Sequence, residues 1–231
     1  MVFFVTRGLP KKSYNPVFSE NEWSAIIEAC HANEVPDEWV ADGTCYKDML
    51  INGTNYRIDI IGKNHDDLAD GTGKAPLTFQ LHDCYATTYR MNATNTNVGG
   101  WRDCQMRTQT MPALKVLMPA EVQAGIRPVN KLTSAGNQSS SIVTTSDELF
   151  LPSEAEVFGS ITNSFAGEGK QYEYYQAGNS KVKNLSGSAY YWWERSPLSS
   201  YSASFCYVYS SGDAAAANAS ASRGVAFAFC F

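Results

Sequence analysis

The sequence predicts an α+β fold, with short helices early and a small antiparallel sheet late. Three observations carry that expectation. Helical spacing of apolar residues is clearest early, around residues 19–31. Aromatic-rich runs at 190–194, 205–209 and 225–231 read as strands. The elements between them do not alternate as strand–helix–strand units, so a doubly wound parallel sheet is not expected. The 231 residues, 44% hydrophobic and 18% charged, suffice for one large domain with an N-terminal extension. A net charge of −5 speaks against nucleic acid as a partner. No apolar run approaches the ~18 residues of a membrane span, so no membrane insertion is expected.

Residues 1–17, with Pro10, Lys11, Lys12 and Pro16, read as an arm. The apolar run at 2–5 is shorter than the ~7–15 residues of a secretory core, so no signal peptide is expected. A helix start follows. Ser19 and Glu22 have capping-box spacing, and Phe18 and Trp23 sit where a hydrophobic staple would. Trp23, Ile26, Ile27 and Cys30 mark one apolar stripe. A hairpin is expected next: residues 49–51 lead into Asn52-Gly53, and Tyr56, Ile58 and Ile60 alternate with Arg57 and Asp59. Residues 63–75 form a polar loop, and 77–81 a short strand. Residues 101–108 and 119–126 read as short helices, the second opened by Pro119. Segments 131–133, 141–145 and 149–151 are strand-like, separated by the turn-rich 134–140. Residues 153–158 start a helical turn. Val225, Phe227, Phe229 and Phe231 are expected on one strand face.

Most chemistry-bearing residues have an ordinary reading. His65, Asp66, Asp67 and Asp70 do not match a calcium loop and read as a polar surface turn. His82-Asp83-Cys84 lies on alternating faces of an extended segment, which does not make a Cys/His pair. Glu154 and Glu156 diverge at helical spacing. No nucleotide or hydrolase motif is present. Six cysteines without metal spacing read as buried free thiols. No catalytic residue, metal ligand or cofactor is therefore expected.

The C-terminal 37 residues, 195–231, contain no Glu, Lys, Gln, Met or Trp. Those five amino acids are the ones an NNY codon, two free bases and then a pyrimidine, cannot encode. NNY codons arise when the adenines of AAY codons are randomised. An apolar framework (Phe205-Cys206, Val208, 224–227 and Phe229-Cys230) alternates there with Ser, Ala, Tyr, Asn and Asp in no periodic order.

The residues Trp192-Trp193-Glu194-Arg195-Ser196-Pro197, Phe205-Cys206-Tyr207-Val208, Gly212 and 224–230 resemble the variable region of diversity-generating retroelement target proteins. Upstream, Gly99-Gly100-Trp101, Met106-Arg107, Met111-Pro112, Lys131-Leu132 and 149–154 resemble an uncharacterised domain family of gut bacteria and their phages. The resemblance covers roughly residues 45–231. It implies a C-type-lectin-like fold, related to the formylglycine-generating enzyme, whose small antiparallel sheet carries the variable region at about 195–231. It also implies a gene segment rewritten by an error-prone reverse transcriptase, and a hypervariable ligand-binding protein at a phage tail tip or bacterial surface. The calcium motifs of sugar-binding lectins are missing here.

A diversified surface tolerates many side chains, so its residues are expected to be exposed. On the strand near 205–209, Cys206 and Val208 are expected inward and Tyr207 and Tyr209 outward. The expected binding residues are Tyr201, Ser202, Ser204, Tyr207, Tyr209, Ser210, Ser211, Asp213, Ala215, Ala216, Ala217, Asn218, Ser220, Ser222 and Arg223. Tyr, Ser and Asn suit such a surface. The expected partners are an unknown host or cell-surface ligand, protein or glycan. A phage tail or surface scaffold would be reached through residues 1–44, an arm and capped helix, and a homotrimer fits that role. The alternatives are a formylglycine-generating-like oxidase on the same fold and a structural module without ligand.

Overall fold

The computed structural model describes residues 12–231, so most of the arm, including residues 2–5, Pro10 and Lys11, lies outside the described residues. Five strands form the main antiparallel sheet: β1 (Tyr46–Ile51), β2 (Thr54–Lys63), β3 (Leu77–Leu81), β6 (Leu149–Phe150) and β12 (Ala228–Cys230). Their order is β1-β2-β3-β12-β6. Asn52 and Gly53 both have positive φ, 48° and 79°, the primed turn that suits strand twist in a two-residue hairpin. All residues of 224–231 are buried. The strand expected over 225–231 is shorter, only Ala228–Cys230 pairing with β3 and β6, and the burial of every residue in the run covers both of its faces. Phe79 stacks on Phe229 at 5.3 Å and lies 5.1 Å from Phe231.

The first helix, α1 (Trp23–His31), packs on that sheet through Trp23, whose ring lies 5.9 Å from Phe79 and 6.1 Å from Phe231. Trp23, Ile26 and Cys30 are buried as the stripe predicts. The capping box expected at Ser19 does not form. Glu22 is the N-cap, without a side-chain cap bond, and Phe18–Glu20 is a separate 3-10 turn. The Asn21 side chain binds the Asn15 and Val17 carbonyls and holds that turn away from the helix.

Residues 100–126 hold three short helices, α2 (Gly100–Asp103), α3 (Met111–Lys115) and α4 (Ala120–Gly125). The helix expected over 101–108 breaks at Cys104, and a π turn over Met106–Thr110 leads into α3. A long hairpin follows, β4 (Val129–Gly136) and β5 (Ser139–Asp147), turning at Asn137 and Gln138 with φ 52° and 59°. The separating loop expected over 134–140 shrinks to those two residues. Gly136 has φ +74°, and a Cβ there would sit 1.7 Å from the Asn97 carbonyl oxygen. Gly136→Ala is expected to lower stability by several kcal/mol, because both backbone strain and a main-chain clash oppose it. A thermal melt indistinguishable from wild type would refute that packing.

The rest comprises α5 (Glu154–Phe158), α6 (Glu173–Gln176), the ribbon β7 (Lys183–Leu185) and β8 (Ser188–Tyr190), and a second sheet of order β11-β10-β9. Its strands are β9 (Trp192–Pro197), β10 (Ser204–Val208) and β11 (Ala214–Asn218). The α+β class read from the sequence is the one the structure has. Among the described residues no helix is long and apolar enough to cross a membrane.

Candidate functional site

The second sheet carries the candidate residues. β10 is its central strand, and Tyr207 pairs with Trp193 on β9 and Ala215 on β11. Directly paired residues share a face. Trp193, Tyr207 and Ala215 therefore form a row across the sheet. Above this row lies the Arg223 guanidinium, 3.9 Å from the Tyr207 ring centroid, 4.5 Å from Tyr191 and 5.4 Å from Trp193. Tyr209 extends the cluster, 6.3 Å from Tyr207 and 6.2 Å from Tyr191. Such cation–π contacts hold a cation in one orientation and are worth about 0.5–2 kcal/mol each.

Of the fifteen candidates, thirteen keep accessible surface, and Tyr201 at 57% and Tyr209 at 46% are the most exposed large ones. Two are corrected. Tyr207 is only 7% exposed, because Arg223 lies across its ring and Trp193 packs at its edge. Ser204 is 4% exposed, and its carbonyl accepts a bond from the Asn97 side chain at 2.7 Å. The framework residues behave oppositely: Phe205, Cys206, Val208, Val225, Phe227, Phe229 and Cys230 have no accessible surface.

Asn97, fully buried, is a positioning residue the sequence reading missed. Its Nδ2 donates to the carbonyls of Tyr201 at 3.1 Å and Ser204 at 2.7 Å, and its main-chain N–H donates to Ser202 at 2.6 Å. Its Oδ1 accepts from the Asn137 N–H of the β4–β5 turn at 2.8 Å. The loop carrying Tyr201 is thus fixed from below by one amide. Tyr191 was also missed. It precedes the compositional window, and the tandem Tyr190-Tyr191 was its only signal.

A buried charged network surrounds Arg195 of β9. The Arg195 guanidinium binds Thr133 Oγ1 at 3.1 Å, the Leu151 carbonyl at 3.0 Å and the Leu132 carbonyl at 3.1 Å. It also binds the Glu168 carbonyl at 2.8 Å and both Glu156 oxygens. All five guanidinium protons find acceptors. Burial alone would raise the Glu156 carboxyl, but Arg195 and Lys131 outweigh it and hold it low. Lys131 Nζ also meets Asp66 Oδ1 at 2.6 Å and the Tyr172 hydroxyl at 3.0 Å. The surface-turn reading of 65–70 therefore holds for Asp70, bound to Thr72 and Arg127, and fails for Asp66. Asp66 is buried, and Lys131 holds its carboxyl down to about 2 against the effect of burial.

Ser153 and Glu156 form a true capping box on α5, each side chain binding the other's main-chain N–H at 3.1 Å. Glu154 points away from it and accepts the N–H groups of Thr162, Asn163 and Ser164. Glu168 accepts from the Ser134 N–H at 2.7 Å and from the Ser196 hydroxyl, and burial pushes its carboxyl up to about 7. Glu194 is fully buried with both oxygens unpartnered, and burial raises it well above the carboxylate range.

Two clefts elsewhere have most of their charges already paired. One, of about 380 Å³, is lined by His65, Glu173 and Lys131. His65 Nδ1 lies 3.2 Å from Glu173, and the three Lys131 protons go to Asp66, Glu156 and Tyr172. The other, of about 420 Å³, holds the Arg107–Asp147 and Lys115–Glu148 pairs. His82 binds Asp59 at 2.6 Å and makes no pair with Cys84 among the described contacts. All six cysteines are buried free thiols. Burial pushes Cys30, Cys84 and Cys104 up to about 12, and it raises Cys206 and Cys230 well above the ordinary thiol range. Among the described residues no group of three or more His, Cys, Asp or Glu is placed to hold a metal ion.

No curated protein and no solved structure matches the chain. A protein-family profile described as "Domain of unknown function (DUF6273)" matches residues 77–231, which include β3, the buried network apart from Asp66, and the whole second sheet. That match spans two thirds of the sequence, and the chain belongs to the DUF6273 family.

Proposed function

We propose that this is a ligand-binding protein whose binding surface is the outer face of the β9–β10–β11 sheet and the loops at 201–203, 209–213 and 220–223. In this reading the domain is C-type-lectin-like, its surface residues are diversified by a retroelement, and it is displayed on a phage tail or bacterial surface. Residues 1–44 then provide the attachment to a scaffold, and a homotrimer is the assembly. The observation that carries the reading is the burial split. Thirteen freely chosen positions keep accessible surface, while the framework residues between and after them have none. A surface can change without unfolding the domain only where that split exists.

The oxidase alternative needs two reactive thiols side by side. Thiols that burial holds protonated are poor nucleophiles. That weighs against it.

Sequencing the last ~40 codons of the gene across a growing population tests the proposal. Scatter in the first two bases of AAY-derived codons, confined to the exposed positions, is expected. A uniform segment would sink the diversification reading. Stability offers a second check. Alanine at Ser210, Asn218 or Ser222 is expected to change unfolding free energy by less than about 0.5 kcal/mol, and Phe205→Ala to cost about 3–5 kcal/mol. Chemical denaturation reads both.

A further inference from the structure

The binding face has two features that point to one kind of occupant. The first is Arg223. Three rings fix its guanidinium, its Nε is buried without an acceptor, and no carboxylate of a described residue pairs with it. A guanidinium so held presents its remaining N–H fork in one direction, the arrangement that receives a carboxylate. The second is β11. It pairs with β10 on one side, and no described residue pairs with main-chain groups on the outer side of 214–217. Its side chains there are four alanines, without the charges, prolines or bulges that usually protect a free edge.

The two features are aligned. The row Trp193, Tyr207, Ala215 runs across the sheet toward the free edge, with Arg223 above Tyr207. A further strand outside β11 would lie about 4.8 Å beyond it, and its residue opposite Ala215 would continue the row. About 9.6 Å, two strand spacings, then separates that residue's main chain from β10. A glutamate side chain, its hydrogen bond and the width of the guanidinium cover that span, and an aspartate falls short. The methyl group of Ala215 leaves the path open.

Building on the binding-face reading, we infer that the occupant is an extended acidic peptide segment of a partner protein. Its backbone adds to the outer edge of β11, and a glutamate reaches across Ala215 to Arg223. Strand addition supplies sequence-tolerant main-chain bonds, and the side-chain anchor supplies selectivity. The inference concerns this copy of the surface, since Ala215 and Arg223 are themselves among the diversified positions.

The test is titration of the full chain, followed by 1H–15N spectra, with four probes. Three are capped pentapeptides, Thr-Val-Glu-Val-Thr and its Gln and Asp counterparts. The fourth is tri-galacturonate, an acidic sugar. The Glu peptide is expected to shift the amides of residues 214–217 and the Arg223 Nε–H together. The Gln and Asp peptides are expected to bind at least about tenfold more weakly, the loss of one charge-assisted fork. Arg223→Lys should weaken the Glu peptide by a similar factor. Ala215→Glu, which places a competing carboxylate beside Arg223, should abolish its binding while the melting temperature stays unchanged.

Equal affinity for the Glu and Gln peptides would overturn the inference. So would silence of the Glu peptide at several millimolar. Tri-galacturonate moving Arg223 while the β11 amides stay still would overturn it in favour of an acidic glycan. None of these outcomes touches the binding-face reading, which stands or falls on population sequencing.

Discussion

Arg195→Lys is expected to destabilise the protein by about 3–5 kcal/mol, enough to leave much of it unfolded at 37 °C. The guanidinium joins Thr133 and Leu132 of β4, Leu151, Glu156 of α5 and the Glu168 carbonyl to β9. An ammonium has three protons on one atom and cannot reach acceptors that surround a planar fork. Lysine therefore keeps the charge and loses the geometry, leaving buried carbonyls without donors. Urea denaturation reads the loss. A cost below about 1 kcal/mol would mean that the network is held by its other members. Arg195→Met should cost at least as much, because Glu156 would keep only Lys131 as a cationic partner, and adding Glu156→Gln should recover part of the loss.

Stability is expected to fall as pH rises from 5 to 7, against the habit of many proteins. Glu168 holds its proton up to about pH 7 in the folded protein and only to 4.5 when unfolded. Between those values the folded state binds the extra proton, so its contribution is full below about pH 4.5 and lost by about 7. The difference amounts to roughly 3 kcal/mol. Glu194, also raised by burial, acts in the same direction. So does His65, where burial opposes but Glu173 prevails and raises the imidazole, so that its contribution is lost above the usual histidine range. Asp66 sets the acid limit: held at about 2 against 3.8 when free, it contributes above about pH 4 and loses that as pH falls toward 2. The maximum therefore lies near pH 4–5. Lys183, lowered by burial to about 8, enters only above that pH, with the opposite slope. Urea midpoints at pH 5 and 7 test this, and Glu168→Gln should reduce the difference, leaving the share that Glu194 contributes. Equal wild-type midpoints would refute it.

What the sequence disclosed divides along physical lines. Local signals were legible. Asn52-Gly53 requires two positive φ values, and the hairpin follows. The run 225–231 is apolar throughout and fully buried, and its residues Ala228–Cys230 form a strand. Pairings between distant residues were not legible. Asp66 and Lys131 are 65 residues apart, Glu156 and Arg195 are 39, and neither separation leaves a periodic trace. β11 escaped for another reason. Alanine has low strand preference, and Ala214–Asn218 is a strand because β10 offers it a partner.

The two capping-box patterns separate on the same ground. Ser19 and Glu22 have the spacing, but Asn21 diverts the backbone into a 3-10 turn. Ser153 and Glu156 have it and form the box, with Arg195 holding the glutamate in place. Of the candidate site, the exposed positions were readable from composition. The ring cluster around Arg223 was not, because Tyr191 and Trp193 precede the window and meet Tyr207 only across the sheet.

The place of β12 bears on how errors are handled. The main sheet cannot close without the strand encoded after residue 223, because that strand lies between β3 and β6. A reading-frame slip or premature stop within residues 195–223 therefore removes the keystone of the core, and the product cannot complete its main sheet. Substitutions pass this filter and length errors do not. The order of segments along the gene thus acts as a proofreading step performed by folding itself.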